Sequence, residues 1–238
     1  MSPYLAELIG TAFIIVLGDG VVASVILNKS KGYQSGWIVI TIGWAMAVFI
    51  GVYATASSSG AHLNPAVTFA QALMGNFAWS KVPLYILSQI TGAMLGALLV
   101  WLCYKKHFDA TPDPDTKLGV FCTIPAIRDK KYNFLTEFIA TAVFILALCY
   151  LTSPTVGIGS LDALPVAFVV LAIGLSLGGP TGYAINPARD LGPRFMHFLL
   201  PISGKRNSDW DYAWIPILGP LAGAAAAAFL FKYCLSGR

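Results

Sequence analysis

Two stretches of this sequence decide the fold: Ser-Gly-Ala-His-Leu-Asn-Pro-Ala-Val at residues 59–67 and Thr-Gly-Tyr-Ala-Ile-Asn-Pro-Ala-Arg-Asp at residues 181–190. Both contain the triplet Asn-Pro-Ala, at Asn64-Pro65-Ala66 and at Asn186-Pro187-Ala188. Asn is a favoured N-cap and Pro a favoured first helical residue, because its missing N–H would be unpaired there anyway. Each triplet therefore predicts the start of a helix.

The apolar runs that follow the triplets are short. They extend from Pro65 to about Gly75 and from Pro187 to about Leu200, whereas a helix needs roughly 20 apolar residues to cross a bilayer. We predict two half-helices that meet tip to tip and form a pore.

The composition places the chain in a membrane. Of its 238 residues 57% are hydrophobic and 11% are charged, against about 25% charged in soluble domains. The net charge of +4 is spread over scattered loops, so no basic patch favours nucleic acid. Four cysteines without C-x-x-C spacing support neither a metal site nor a disulfide framework. The first apolar run lacks a basic leader and a small-residue cleavage site, so we expect a retained span rather than a signal peptide.

Six long apolar segments are predicted to span the membrane. They cover Tyr4–Leu27, Gly36–Ala56, Val82–Tyr104, Tyr132–Leu151, Ala163–Leu177 and Tyr212–Tyr233.

An internal repeat divides this single domain, residues 1–238, into halves at about 1–104 and 132–238, joined by a polar loop at 105–131. The motif around Glu7, Ala-Glu-Leu-Ile-Gly-Thr-Ala, recurs around Glu137 as Thr-Glu-Phe-Ile-Ala-Thr-Ala. Each half contains three spans and one half-helix. Because three is odd, the second half enters from the opposite side, which predicts an all-α, inverted 3+3 repeat with its site near the midplane.

The twin triplets, the Glu-containing repeat in spans one and four, and the six-span spacing together resemble the major intrinsic proteins, the aquaporin and glycerol-facilitator family. The resemblance covers nearly the whole chain. It implies a passive channel with no cofactor, and a homotetramer in which each chain holds its own pore.

The triplets would form the centre of that pore. Each half-helix directs about half a positive charge from its N-terminus towards the midplane, which opposes cations. The amides of Asn64 and Asn186 can donate hydrogen bonds to a passing hydroxyl or water. Ordinary helix capping is the alternative role.

The family pattern places a selectivity filter at Trp44, Gly174, Tyr183 and Arg189. Arg189 would donate to solute oxygens and repel cations, and Trp44 with Tyr183 would form an apolar corner opposite it. Gly174 would leave room that a histidine fills in a strict water channel. The alternatives are a snorkelling or salt-bridged arginine and ordinary core or interface aromatics.

Residues near the filter resemble the glycerol-conducting branch. Asp190 follows Arg189 directly and Arg194 lies four residues later; Tyr104 ends the third span, and Pro216-Ile217 lies in the sixth. Tyr183 departs from the pattern, because that branch commonly has Phe there. Its hydroxyl makes the corner more polar.

Four residues are predicted to support the pore loops: Glu7, Glu137, His62 and Asp190. An intramembrane carboxylate can relay protons or accept hydrogen bonds from loop amides that lack a water partner. We favour support for Glu7 and Glu137, because a relay would undermine a pore that excludes protons. For His62 the alternative is gating by protonation. Asp19 is expected near an interface, with no assigned role.

The function predicted is a passive channel for glycerol and other small uncharged solutes, with water. Dihydroxyacetone, urea, hydrogen peroxide and protonated lactic acid are further candidate solutes. A strict water channel and a non-conducting membrane scaffold are the alternatives. An intramembrane enzyme lacks support, since there is neither a nucleophile–base pair nor a metal-ligand cluster.

The resemblance also implies a multi-pass protein of a bacterial plasma membrane with cytoplasmic termini. That orientation leaves only Lys81, Lys232 and Arg238 of the 15 basic residues on the cytoplasmic side. The positive-inside rule predicts the reverse orientation. We follow the resemblance.

Overall fold

The computed structural model describes residues 1–151 and 159–235. Within these ranges the chain forms ten α-helices and no β-strand. The helices are α1 Pro3–Ile26, α2 Trp37–Ser59, α3 Pro65–Met74, α4 Val82–Ala110, α5 Pro114–Phe121, α6 Lys130–Tyr150, α7 Leu164–Ser176, α8 Pro187–Leu199, α9 Trp210–Ala213 and α10 Ile215–Leu230.

The long helices correspond to the predicted spans. Among the described residues, five helical stretches are long and apolar enough to cross a membrane: Pro3–Ile26, Trp37–Ser59, Trp79–Ala110, Lys130–Tyr150 and Trp210–Leu235. The span predicted at Ala163–Leu177 corresponds to α7, an apolar helix of 13 residues. Residues 152–158, which lie shortly before α7, are outside the described ranges.

The two half-helices begin where the triplets predict. α3 has 10 residues and α8 has 13, and each starts at the Pro of its triplet with Asn as N-cap. At the far end of α8 the ammonium of Lys205 donates to the carbonyls of His197, Phe198 and Leu200 at 2.6, 2.7 and 2.7 Å. A cation suits the negative end of a helix dipole. Partial burial lowers the pKa of Lys205 from its ordinary value.

Each half-helix packs mainly against a long helix of the other half. α3, from the first half, packs on α10 in the second, and α8 packs on α4 in the first. The pairs α1–α4 and α6–α10 cross at glycines in both halves. A β-carbon on Gly92 would lie 2.1 Å from the carbonyl oxygen of Leu8, and one on Gly223 would lie 2.3 Å from that of Phe138. Small residues allow this close backbone approach, and the repetition follows the internal repeat.

The connection at 105–131 is more ordered than predicted. We expected a polar loop, but α4 continues to Ala110 and α5 covers Pro114–Phe121. Asp113 caps α5 and accepts from the amide and hydroxyl of Thr116 at 2.9 and 2.5 Å; these bonds lower the pKa of its carboxyl group. Asp113-Pro114 is the same cap-and-proline signal that starts α3 and α8. The end of α5 and the segment after it carry Phe121 and Thr123 into the core.

Candidate conduction pathway

The two triplets meet through reciprocal hydrogen bonds. Nδ2 of Asn64 donates to the carbonyl of Ile185 at 2.9 Å, and Nδ2 of Asn186 donates to the carbonyl of Leu63 at 2.9 Å. The side-chain oxygens accept from the first helical amides, that of Asn64 from Ala66 N at 2.8 Å and that of Asn186 from Ala188 N at 3.0 Å. An Asn amide has two N–H protons. Each therefore keeps one beyond its bond to the other half.

The loops before the triplets share an unusual backbone. Ala61 and Leu63 have φ values of 49° and 51°, and Tyr183 and Ile185 have 39° and 42°. Positive φ is uncommon outside glycine and costs most for β-branched residues such as Ile185. A conformation of this kind persists only where its surroundings hold it firmly.

Glu7 holds the first loop. Its side chain is fully buried. Oε1 accepts from the amide of His62 at 3.0 Å and the hydroxyl of Ser59 at 2.6 Å. Oε2 accepts from the amide of Leu63 at 2.6 Å and from Nε2 of Gln89 at 2.7 Å. Two of these four bonds pair loop amides that lack a water partner at membrane depth, and the other two tie Glu7 to the end of α2 and to α4.

Glu137 repeats this arrangement in the second loop. Oε1 accepts from the hydroxyl of Thr181 at 2.6 Å and the amide of Ala184 at 3.0 Å, and Oε2 accepts from the amide of Ile185 at 3.0 Å. These three donors occupy the same positions relative to Asn186 that Ser59, His62 and Leu63 occupy relative to Asn64. Both carboxylates are thus tied to the strained loops.

His62 packs against two aromatic rings. Its Nδ1 lies 3.1 Å from the hydroxyl of Thr68. The ring centroid lies 4.8 Å from that of Phe77 and 5.2 Å from that of Tyr85. The ring contacts the cavity described next.

A cavity of about 270 Å³ runs between the halves and has two unlike walls. One wall consists of side chains from α1, α2, α6 and α7: Ile14, Trp44, Val48, Val52, Phe144, Leu148, Val166 and Val170. The other consists of the two loops, the triplet asparagines and Arg189, at 60–64, 184–186 and 189; Tyr183, Val67 and Gln71 complete the lining. The cavity therefore combines a hydrogen-bonding strip with an apolar surface.

Arg189 stacks on Trp44 at one end of the cavity. Its Cζ lies 4.1 Å from the centroid of the indole ring. We expected the aromatic corner to lie opposite the guanidinium, but the indole face and the guanidinium are in direct contact. Cation–π attraction favours that contact. Nη1 donates to the carbonyl of Phe121 at 3.2 Å and to Oδ1 of Asp19 at 3.3 Å.

The ring of Tyr183 covers Gly174. A β-carbon on Gly174 would lie 2.9 Å from Tyr183 Cζ, so this tyrosine fills the room that the sequence analysis assigned to Gly174. Tyr183 packs edge-on against Trp37, with centroids 5.9 Å apart. Nε1 of Trp37 donates to the carbonyl of Gly174 at 3.0 Å. Tyr183, Trp44 and Arg189 contact the cavity, and Gly174 lies behind Tyr183.

Asp190 turns away from the cavity and forms a buried ion pair. Its oxygens accept from Nε and Nη2 of Arg194 at 2.7 and 2.9 Å. They also accept from the amide and hydroxyl of Thr123 at 2.9 and 2.7 Å. Arg194 continues to the carbonyls of Ser208 and Asp209 at 2.7 and 3.1 Å. The network ties α8 to the segments beside it.

Asp19 is the residue whose position the sequence analysis missed. We expected it near an interface, but it has no exposed surface and pairs with Arg189. One signal was present in the sequence: an isolated carboxylate within an apolar span requires a partner. The pairing itself depends on how α1 and α8 come together.

A cavity lined by both halves of an inverted repeat is typical of membrane transport proteins. A family model described as "Major intrinsic protein" matches residues 1–231. The chain belongs to the major intrinsic protein family. This membership confirms the predicted family and the class of passive channel rather than enzyme.

Relatives extend the comparison to nearly the full length. The chain is 57% identical over 233 residues to a "Probable glycerol uptake facilitator protein" of Thermotoga maritima, covering 98% of this chain and 99% of the relative. It is 47% identical to the "Glycerol uptake facilitator protein" of Bacillus subtilis, covering 100% and 86%. The solved aquaglyceroporin of Plasmodium falciparum superposes with a TM-score of 0.86 at 28% identity, covering 97% and 95%. These matches confirm the aquaporin-like fold.

Proposed function

We propose that this chain is a passive channel for glycerol and other small uncharged solutes, with water. The observation that carries the proposal is the cavity with one apolar and one hydrogen-bonding wall. A polyol has carbon on one edge and hydroxyl groups on the other. It can exchange its water hydrogen bonds for those of the loop wall while its carbon skeleton passes along the apolar wall.

The proposed filter consists of Trp44, Gly174, Tyr183 and Arg189. The hydrogen bonds that the Arg189 guanidinium forms with described residues use Nη1, which leaves its other nitrogens for solute oxygens. Trp44 and Tyr183 supply the apolar surface. Gly174 acts by making room for the Tyr183 ring.

Ion exclusion is assigned to the triplets and Arg189. Two helix N-termini converge where the Asn64 and Asn186 bonds link the halves, and their dipoles oppose cations. Each Asn offers one remaining N–H to a solute. Glu7, Glu137 and His62 hold the loops in register, and Asp190 holds α8 through Arg194.

The wider set of solutes is a further part of the proposal. Dihydroxyacetone, urea, hydrogen peroxide and protonated lactic acid are neutral and carry hydrogen-bonding groups. We place the channel in a bacterial plasma membrane, with cytoplasmic termini and as a homotetramer. Outward apolar side chains such as Ile38 and Leu87, 57% and 59% exposed, suit lipid or a neighbouring chain.

Uptake of labelled glycerol by cells that lack their own glycerol channel tests the proposal. Val48 faces the cavity, so Val48→Trp should block it and abolish the uptake conferred by the wild type. Val39 lies on the same helix and is 38% exposed, so Val39→Trp is the matched control and should retain uptake. Equal uptake by Val48→Trp and wild type would contradict the assigned pathway. Water flux without glycerol uptake would favour a strict water channel.

A further inference from the structure

Two adjacent residues of α1 contact the proposed filter from behind. A β-carbon on Gly18 would lie 2.3 Å from Cζ3 of Trp44, so the indole ring packs directly on the Gly18 backbone. Asp19 follows, and its Oδ1 lies 3.3 Å from Nη1 of Arg189. α1 thus supports the aromatic side of the filter at one position and the cationic side at the next.

Arg189 is the counter-ion of Asp19. The carboxylate is fully buried, and among the described residues its Oδ2 has no hydrogen-bond partner. A buried charge is costly unless it is paired. Among the described residues, the pair with Arg189 is the contact that favours the charged form of this carboxylate inside the first span.

The other buried arginine nearby has a carboxylate of its own. Arg194 and Asp190 form a pair with no exposed side-chain surface. Arg189 differs because its guanidinium contacts the cavity while Asp19 lies behind it. Of these two arginines, Arg189 is the one that contacts the cavity, and its counter-ion is the buried Asp19.

We propose that Asp19 determines specificity by cancelling the charge of Arg189, so that the filter donates hydrogen bonds to neutral solutes without retaining small anions. An unpaired guanidinium is a strong binder of planar oxyanions, and its field is scarcely screened in a narrow, low-dielectric passage. A guanidinium paired from behind keeps its donors and loses most of that field. The inference rests on the proposed filter role of Arg189.

The test measures glycerol permeability of proteoliposomes in nitrate and in gluconate. Nitrate is small, planar and fully ionised at working pH, and gluconate is too large to enter. Wild-type flux should be the same in both salts. In Asp19→Asn, which keeps the side-chain volume and removes the charge, about 100 mM nitrate should reduce glycerol flux about tenfold.

Four further variants separate charge from structure. Asp19→Asn combined with Arg189→Gln should lose the nitrate block, because neither charge remains. Asp19→Glu should stay insensitive. Asp209→Asn removes an acid that pairs with Arg128 away from the cavity, and it should also stay insensitive. Asp19→Ser provides a second neutral variant if Asp19→Asn does not assemble.

Two results would overturn the inference. One is a nitrate block of the wild type, which needs no variant to fold. The other is equal flux in both salts for a neutral Asp19 variant that conducts glycerol. If Arg189→Gln alone alters selectivity while nitrate does not affect neutral Asp19 variants, Arg189 belongs to the filter but this inference about Asp19 is wrong. A wild type that does not conduct glycerol would contradict both.

Discussion

The ring of Tyr183 occupies the space that Gly174 leaves by having no side chain, so that a β-carbon on Gly174 would lie 2.9 Å from Tyr183 Cζ. The two residues come from different elements, α7 and the loop before α8. The position of the ring therefore depends on an absent side chain as much as on the loop. Because Tyr183 lines the cavity, this relationship bears on the space open to a solute.

The first prediction concerns that relationship. Gly174→Ala should push the Tyr183 ring towards Arg189, because Thr41 Cγ2 closes the other side at 3.0 Å. Glycerol permeability should fall about tenfold, which is about 1.4 kcal/mol, and water permeability should fall less. Gly179→Ala is the control, since a β-carbon there has no neighbour within 4 Å. An unchanged ratio of glycerol to water permeability in Gly174→Ala would refute the argument.

The second prediction concerns the loop carboxylates. Glu137→Gln places a donor N–H₂ among the donors Thr181, Ala184 and Ile185. Each buried donor left unpaired costs about 1–3 kcal/mol, so the thermal midpoint in detergent should drop by several degrees.

Glu7→Gln should behave alike, because three of its four donors have equivalents around Glu137. Asp211→Asn, at an exposed position, is the control. If Glu7→Gln and Glu137→Gln leave the midpoint unchanged but alter proton flux, the relay role is correct and loop support is not.

The third prediction concerns Arg189. Arg189→Val removes the cation that contacts the cavity, so proton or sodium conductance should rise at least about tenfold while glycerol still passes. Arg206→Val, which removes a cation paired with Asp115 at the surface, should leave conductance unchanged. A cation-tight Arg189→Val channel would show that the triplets alone exclude ions.

The fourth prediction concerns the Asp190–Arg194 pair. Asp190→Asn leaves a fully buried guanidinium without its counter-ion, which costs about 3–5 kcal/mol. Unfolding assays that avoid guanidinium chloride as the denaturant should show a large loss of stability. Adding Arg194→Met should recover part of that loss, because the unpaired charge is then gone. Asp115→Asn, which breaks an exposed pair, should cost at most about 1 kcal/mol.

The fifth prediction concerns orientation. Ile127, 79% exposed, lies on the connection between the halves, and Trp79, 53% exposed, lies on the connection after α3. In a background without the exposed Cys103 and Cys234, an impermeant thiol reagent should label Ile127→Cys in intact cells and spare Trp79→Cys. The opposite labelling pattern would favour the orientation given by the positive-inside rule.

The half-helices were predictable because their signals are local. Asn64 and Asn186 cap the N-termini of α3 and α8, and the Pro that follows each of them is the first helical residue. The length of each apolar run can be read directly from the sequence. Two contacts were not predictable: the hydrogen bond from Gln89 to Glu7 and the pairing of Asp19 with Arg189. Each joins helices that are distant in sequence. The Tyr183 ring also escaped prediction. Its position depends on a positive φ of 39°, which the Glu137 bonds to neighbouring amides stabilise.

The measurement that tests the central claim most directly is stopped-flow light scattering on liposomes containing the purified chain, under an inward glycerol gradient. We predict that glycerol and water both equilibrate faster than in empty liposomes, with no added proton or ion conductance. Acceleration of water alone would contradict the glycerol claim. Acceleration of neither would contradict the channel itself.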